Sequence, residues 1–250
     1  MSAAPALNLV GVKKTFGRLE VLVDVTMSVA AGERHGILGP NGAGKTTLFN
    51  VITGELPATA GTIEYFGNAI GHLSVNRRAA LGLCRTFQTT TLFPKLTAVE
   101  NLLIALQAKS RGRYQMLLPR TANKALVHEA KSLLDGVGLA DRGDNLVVHL
   151  SHGEQRQIEV LMALAQKPKV LLLDEPTAGL APGDIPLITR MLRELSDDVT
   201  MIIIEHDMGV VFDLCNRLTV LHYGTVKADG TVEEVRANPM VQEIYLGGKL

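Results

Sequence analysis

The chain has 250 residues, enough to bury a substantial core and to form one large α/β domain with an insertion. Lys plus Arg equals Asp plus Glu at 25 each, so the formal net charge is zero, and the absence of a sustained basic run argues against a nucleic-acid partner. Two cysteines, Cys84 and Cys215, lie far apart with no CxxC or Cys/His ligand spacing, which argues against a zinc knuckle and favours reduced, packed thiols.

In chain order, "ALNLVGVKKTF" and "VLVDVTMSV" read as β-branched strands joined by a turn at Gly17 and Arg18, predicting an antiparallel β region. "RHGILGP" is a buried strand, and "NGAGKTTLFNVITG" continues from it as a helix that ends at Gly54. "GTIEYFGNAI" reads as another strand pair and "LGLCRTFQ" as a further core strand. From Thr89 to about Ala165 the character is helical, through "AVENLLIALQA" and "TANKALVHEAKSLLDGVGL", with "SRGRYQMLLPR" between them as a solvated or partner-facing loop. "KVLLLDEP" and "VTMIIIEHD" are continuous apolar runs of strand length, the pattern of parallel strands covered on both faces. "GDIPLITRMLRELSDD" supplies the crossover helix between them. "RLTVLHYGTVKADGT" reads as a hairpin and "VEEVRANPMVQEIYLG" as terminal helices. The N-terminus lacks a basic segment and is interrupted by Asn8, a poor signal peptide. No apolar run approaches the roughly 18 residues of a membrane span. A cytoplasmic chain is expected.

The strongest local signal is Gly39-Pro-Asn-Gly-Ala-Gly-Lys45-Thr46, a complete GxxxxGK[ST] loop between a predicted strand and a predicted helix. Its glycines let backbone N–H groups at Asn41, Gly42, Ala43 and Gly44 turn toward phosphates. Lys45 reaches the outer phosphates, Thr46 can ligate Mg²⁺, and Thr47 follows in the first helical turn. A second signal is the buried strand that delivers Asp174 and Glu175 at its C-terminal end, the edge where open α/β sheets bind ligands. There Asp174 would hold Mg²⁺ and Glu175 would polarise the attacking water, the alternative being a solvated turn.

With these motifs in place the chain resembles an ATP-binding cassette (ABC) ATPase over nearly its whole length. "LSHGEQ" is similar to the family signature LSGGQ, and "PTAGLAP" occupies the position of the D-loop. The resemblance implies an α/β P-loop NTPase fold with an antiparallel β subdomain and a helical insert. Residues 1–250 would form a single ABC ATPase domain. Within it, 1–88 and 166–230 would be the nucleotide-binding core, 89–165 the insert with the signature helix, and 231–250 a helical tail. Phe16, with Val21 beside it, resembles the aromatic that stacks on adenine; a core Phe is the alternative. Gln88 in "RTFQ" would touch Mg²⁺ or the lytic water, and His206 would bond the γ-phosphate and help place Glu175.

The signature helix opens on Ser151, His152 and Gly153, read as exposed. In the family its N-terminus faces the γ-phosphate held by a second copy, and a helix N-terminus carries about half a positive charge suited to that anion. Ser151 and Gly153 would make the contact, next to His152 and Glu154. Ser151 acting as an N-cap, with Glu154 completing a capping box, is compatible with that role. His152 departs from the family glycine and Ala181 from the D-loop aspartate.

Transport would require separate permease subunits, a second ATPase, identical or not, and indirectly a solute-binding protein, with the chain at the cytoplasmic face of the inner membrane. Leu92, Phe93 and Leu96 are candidate anchors for a permease helix or else core of the insert. The insert, the "IEHDM" run and the C-terminal ending look most like the ATPases of branched-chain amino acid uptake. The lipopolysaccharide-export ATPase is the rival, and a non-transport ABC ATPase the alternative from another class. ATP and Mg²⁺ are the implied cofactors.

Overall fold

The computed structural model describes residues 4–86, 92–109 and 123–246. The chain divides into two compact units, one of Met1–Arg85, Lys169–Glu175 and Leu195–Leu250, the other of Thr86–Pro168 and Pro176–Glu194.

The first unit is built on strands β1 (Leu7–Phe16), β2 (Leu19–Val29), β3 (Arg34–Leu38), β4 (Ala60–Tyr65), β5 (Asn68–Ala69), β6 (Leu83–Thr86), β7 (Val170–Asp174), β8 (Thr200–Ile204), β9 (Arg217–His222) and β10 (Thr225–Thr231). Their spatial order is β5-β4-β1-β2-β10-β9-β3-β8-β7-β6. The two halves of this sheet follow from two burial patterns. In β2, Val25, Met27 and Val29 are buried and Asp24, Thr26 and Ser28 exposed, the alternation of an antiparallel strand with one covered face. In β7 and β8 every residue is buried, and both pair in parallel, β7 with β8 and β8 with β3. Parallel pairing sends the C-terminal ends of β3, β7 and β8 to one edge, where the phosphate loop, Asp174–Glu175 and Glu205–His206 all emerge.

Helix α1 (Lys45–Thr53) packs Leu48, Phe49, Val51 and Ile52 into the core with Leu22, Ile37, Val170 and Ile202. Helix α2 (Val75–Ala80) was not expected from the sequence. It delivers Arg78, 2% exposed, whose guanidinium donates to Val51 O (2.8 Å), Ile52 O (2.6 Å), Leu73 O (3.0 Å) and Gly71 O (3.1 Å). An arginine thus satisfies the C-terminal carbonyls of the helix whose other end carries Lys45. His35 is buried between Glu33 (2.6 Å) and Thr219 (2.7 Å).

The second unit contains α3 (Ala98–Lys109), α4 (Lys124–Gly136), α5 (His152–Ala165) and α6 (Ile185–Arg193). Leu102, Leu103, Leu106, Leu134, Ile158 and Leu161 form its core. Leu92 joins that core, Phe93 is 48% exposed and Leu96 is half-buried, so the three candidate anchors divide between both readings. Helix α6 lies between β7 and β8 in the chain, as a crossover must, and packs on α5. Helix α7 (Met208–Leu214), also unexpected, is capped by Asp207, which accepts from Gly209 N and Val210 N. Helices α8 (Val232–Ala237) and α9 (Pro239–Leu246) close the first unit. Gln88 and the "SRGRYQMLLPR" loop lie outside the described residues.

Candidate active site

The loop between β3 and α1 is shaped by what its backbone must do. Gly44 is the N-cap of α1 at φ 105°, and no side chain caps the helix, so the N–H groups of its first turn are left to the loop. A side chain on Gly39 would run into Leu221 O, and Gly224 N donates to Ala43 O at 3.0 Å, so the β9–β10 turn braces the loop from behind. Asn41 and Gly42 are exposed and Ala43 is buried. Lys45, 6% exposed, donates from Nζ to Gly39 O (2.6 Å) and Pro40 O (3.2 Å). Burial lowers its pKa, and the charges of Glu175 and Asp174 offset part of that shift. A cation already costly to bury and facing two carboxylates is suited to a polyphosphate. Thr46 is exposed and Thr47 half-buried in the first turn.

At the end of β7, Asp174 is 1% exposed and its Oδ2 accepts from Arg85 at 2.7 Å. Glu175 follows at φ 48°, an unusual conformation for a side-chain-bearing residue and of the kind found at functional sites. Its N–H donates to Ile204 O at 2.8 Å, fixing it against the end of β8. With its proton on Nε2, His206 donates to Glu175 Oε1 at 2.9 Å. The structure therefore brings Lys45, Asp174, Glu175 and His206 to one edge of one unit. Among the described residues no cluster of three or more His, Cys, Asp or Glu forms a metal cage. The Thr46 hydroxyl and Asp174 carboxylate are hard oxygen donors, and such a sparse set fits Mg²⁺, which takes one or two protein oxygens and completes its shell from phosphates and water.

Phe16 is 46% exposed at the end of β1, with Lys14 Nζ 4.9 Å from its ring centroid, so it is not a core residue; Val21 is half-buried on β2. In the second unit Ser151 caps α5, accepting from Glu154 N (3.2 Å) while Glu154 Oε2 accepts from Ser151 N (2.7 Å). Arg142 adds a bond to Glu154 Oε1 at 2.9 Å. Burial opposes ionisation of Glu154, but the bonds from Ser151 and the Arg142 charge outweigh it and hold its pKa below the usual carboxylate range. Ser151 and His152 are exposed as expected, whereas Gly153 is buried, a correction to the sequence reading. A Cβ there would lie 2.5 Å from Asp184 Cγ, so the carboxylate of Asp184 covers this part of the helix end. Ala181 is exposed and accepts from Asp184 N at 2.9 Å.

Arg85 was not singled out from the sequence. Its one signal is an arginine inside an otherwise apolar core strand.

A family model described as ABC transporter matches residues 22–178. The chain is a member of the ABC transporter ATP-binding family. A second model, described as Branched-chain amino acid ATP-binding cassette transporter, matches residues 228–249 of this ABC ATPase. It is 36% identical to the high-affinity branched-chain amino acid transport ATP-binding protein LivG of Salmonella typhimurium, over 97% of this chain and 98% of that protein. It is 34% identical to the lipopolysaccharide export system ATP-binding protein LptB of Haemophilus influenzae, over 99% and 98%. Among solved structures, the ADP conformation of the ATP-binding cassette MJ1267 superposes with TM-score 0.85 at 34% identity, covering 97% of this chain and 99% of that one. A dimeric post-hydrolysis state of the cassette MJ0796 bound to ADP and Pi gives 0.78 at 25% identity, covering 90% and 98%. The α/β P-loop fold and the assignment as a nucleotide-binding transporter ATPase follow. Among the described residues no helix is long and apolar enough to cross a membrane.

Proposed function

We propose that this ABC ATPase drives uptake of branched-chain amino acids or related small polar solutes, bound to separate permease subunits at the cytoplasmic face of the inner membrane. The match of residues 228–249 to the branched-chain cassette model carries this reading.

In the proposed site the phosphate loop and Lys45 bind the phosphates of ATP, with the adenine on Phe16 and Val21. Thr46, Asp174 and Gln88 would hold Mg²⁺, which when bound would neutralise charge on the phosphate oxygens. Glu175 takes a proton from the water that attacks the γ-phosphorus, and the leaving ADP oxygen departs in line. His206 fixes the rotamer of Glu175 through the 2.9 Å bond. Ser151, His152, Gly153 and Glu154 at the start of α5 present the positive end of the helix dipole to the nucleotide of a second ATPase subunit, so the two chains close over ATP and separate after hydrolysis.

A second reading, lipopolysaccharide export, is favoured by the 34% identity to LptB over 99% of the chain. The deciding experiment expresses the chain in a strain lacking its branched-chain amino acid ATPase and measures uptake of labelled leucine. Restored uptake supports import. Failure there, together with rescue of a strain depleted of its lipopolysaccharide-export ATPase, favours the second reading.

A further inference from the structure

We propose that Arg85 is a positioning residue for the divalent-cation step, setting the spacing between the two oxygen donors that bind the metal. This rests on the reading of Thr46 and Asp174 as those donors. Arg85 sits in β6 with its side chain 6% exposed. One guanidinium nitrogen donates to Asp174 Oδ2 at 2.7 Å, and the other donates to Asn50 Oδ1 at 2.5 Å and lies 3.4 Å from both carboxylate oxygens of Glu55. The guanidinium carbon stands 5.6 Å from the Phe49 ring centroid.

Asn50 and Thr46 are four residues apart on α1, hence stacked on one face of the helix. Arg85 therefore ties the face that carries Thr46 to the strand end that carries Asp174. A planar fork bridges two such acceptors at fixed distance, and an ammonium on a flexible stem fixes that distance less well. Groups that orient metal ligands in this way typically change metal affinity by about 10–100-fold when removed. Arg85 also lies three residues before Gln88 in the chain.

The test uses the full chain and three variants, Arg85→Gln, Arg85→Lys and Asp174→Asn. Each is measured for affinity for ATP in EDTA and, once ATP-loaded, for Mn²⁺ affinity by electron paramagnetic resonance. Arg85→Gln is expected to keep metal-free ATP affinity within about twofold and weaken Mn²⁺ binding by about tenfold. Arg85→Lys should weaken it less and Asp174→Asn at least as much. If Arg85→Gln does not fold, as judged by thermal melting, Arg85→Lys alone decides, by the same split between the two affinities. An unmoved Mn²⁺ affinity in the Arg85 variants beside a weakened one in Asp174→Asn overturns the role of Arg85, as does a parallel loss of metal-free ATP affinity. If Asp174→Asn also leaves Mn²⁺ binding unmoved, the metal role of Asp174 falls and that of Arg85 with it.

Discussion

Glu175→Gln keeps the shape of the side chain and removes its negative charge and its capacity to take a proton. The amide Oε1 still accepts from His206 Nε2, a 2.9 Å bond in the native protein, and the backbone at φ 48° is equally strained for either residue. Folding stability should therefore change by less than about 0.5 kcal/mol. Losing a general base costs about 10²–10⁴ in rate, or about 2.7–5.4 kcal/mol of barrier at about 1.36 kcal/mol per tenfold. Phosphate release at saturating Mg-ATP should fall by that factor while equilibrium binding of ATP stays unchanged. Because the bridging γ-phosphate then persists, gel filtration with ATP should show an accumulated dimer. Turnover above about a tenth of wild type would refute the assignment of the base, since a spectator carboxylate loses nothing on becoming an amide. A large loss of ATP affinity would refute it differently, by showing that the carboxylate acts in the ground state.

Arg78→Met keeps the buried stem and removes the four bonds to carbonyls; with two of those acceptors buried, a loss of about 3 kcal/mol is expected, or roughly 6–12 °C in melting temperature. A shift below about 2 °C would show that water replaces the guanidinium at no cost. Glu154 has a folded-state pKa below its unfolded one, so its contribution is present above the ordinary carboxylate pKa and is lost as pH falls through the folded value. Urea melts of wild type and Glu154→Gln should differ by about 0.5 kcal/mol at pH 7 and converge in acid; a gap that widens in acid contradicts the charge assignment. Burial pushes the Cys215 thiol up to about 12, against a smaller lowering by Arg34, so at pH 8 only about one part in ten thousand is thiolate. A thiol reagent should modify Cys215 only after unfolding, and rapid labelling of the native protein would show that this pocket opens.

What could be read from the sequence was what is local. The phosphate loop lies within eight residues between a strand and a helix, and β7 and β8 announce their burial by five unbroken apolar or strand-end positions. Helices α2 and α7, of six and seven residues, complete fewer than two turns, so no 3.6-residue period can establish itself. The cap of α7 was hidden because Asp207 reads equally well as the end of the strand run "IIIEHD". Long-range polar partners leave no pattern. Asp174 and Arg85 are 89 positions apart, and nothing near either residue identifies the other. Gly153 was read as exposed because its neighbours are small and polar. It is buried because Asp184, brought in by the start of α6, rests against it.

Asp174 and Glu175 are adjacent carboxylates, and their surroundings separate their work. Successive residues of a strand face opposite ways, and the turn to φ 48° at Glu175 takes the second carboxylate out of the strand path altogether. Asp174 keeps the strand geometry, is sealed at 1% exposure and meets a guanidinium, so its carboxylate is held in place. Glu175 is 17% exposed at the side chain and is held by a histidine that is itself 46% exposed, where a water has access to both. A buried, pinned anion is suited to holding a cation, and an accessible one beside an imidazole is suited to accepting a proton. Exchanging the two environments, rather than the two residues, is what would exchange the roles. Under the proposed mechanism, the strain at Glu175 is part of how one short sequence, Asp-Glu, would supply two different functions.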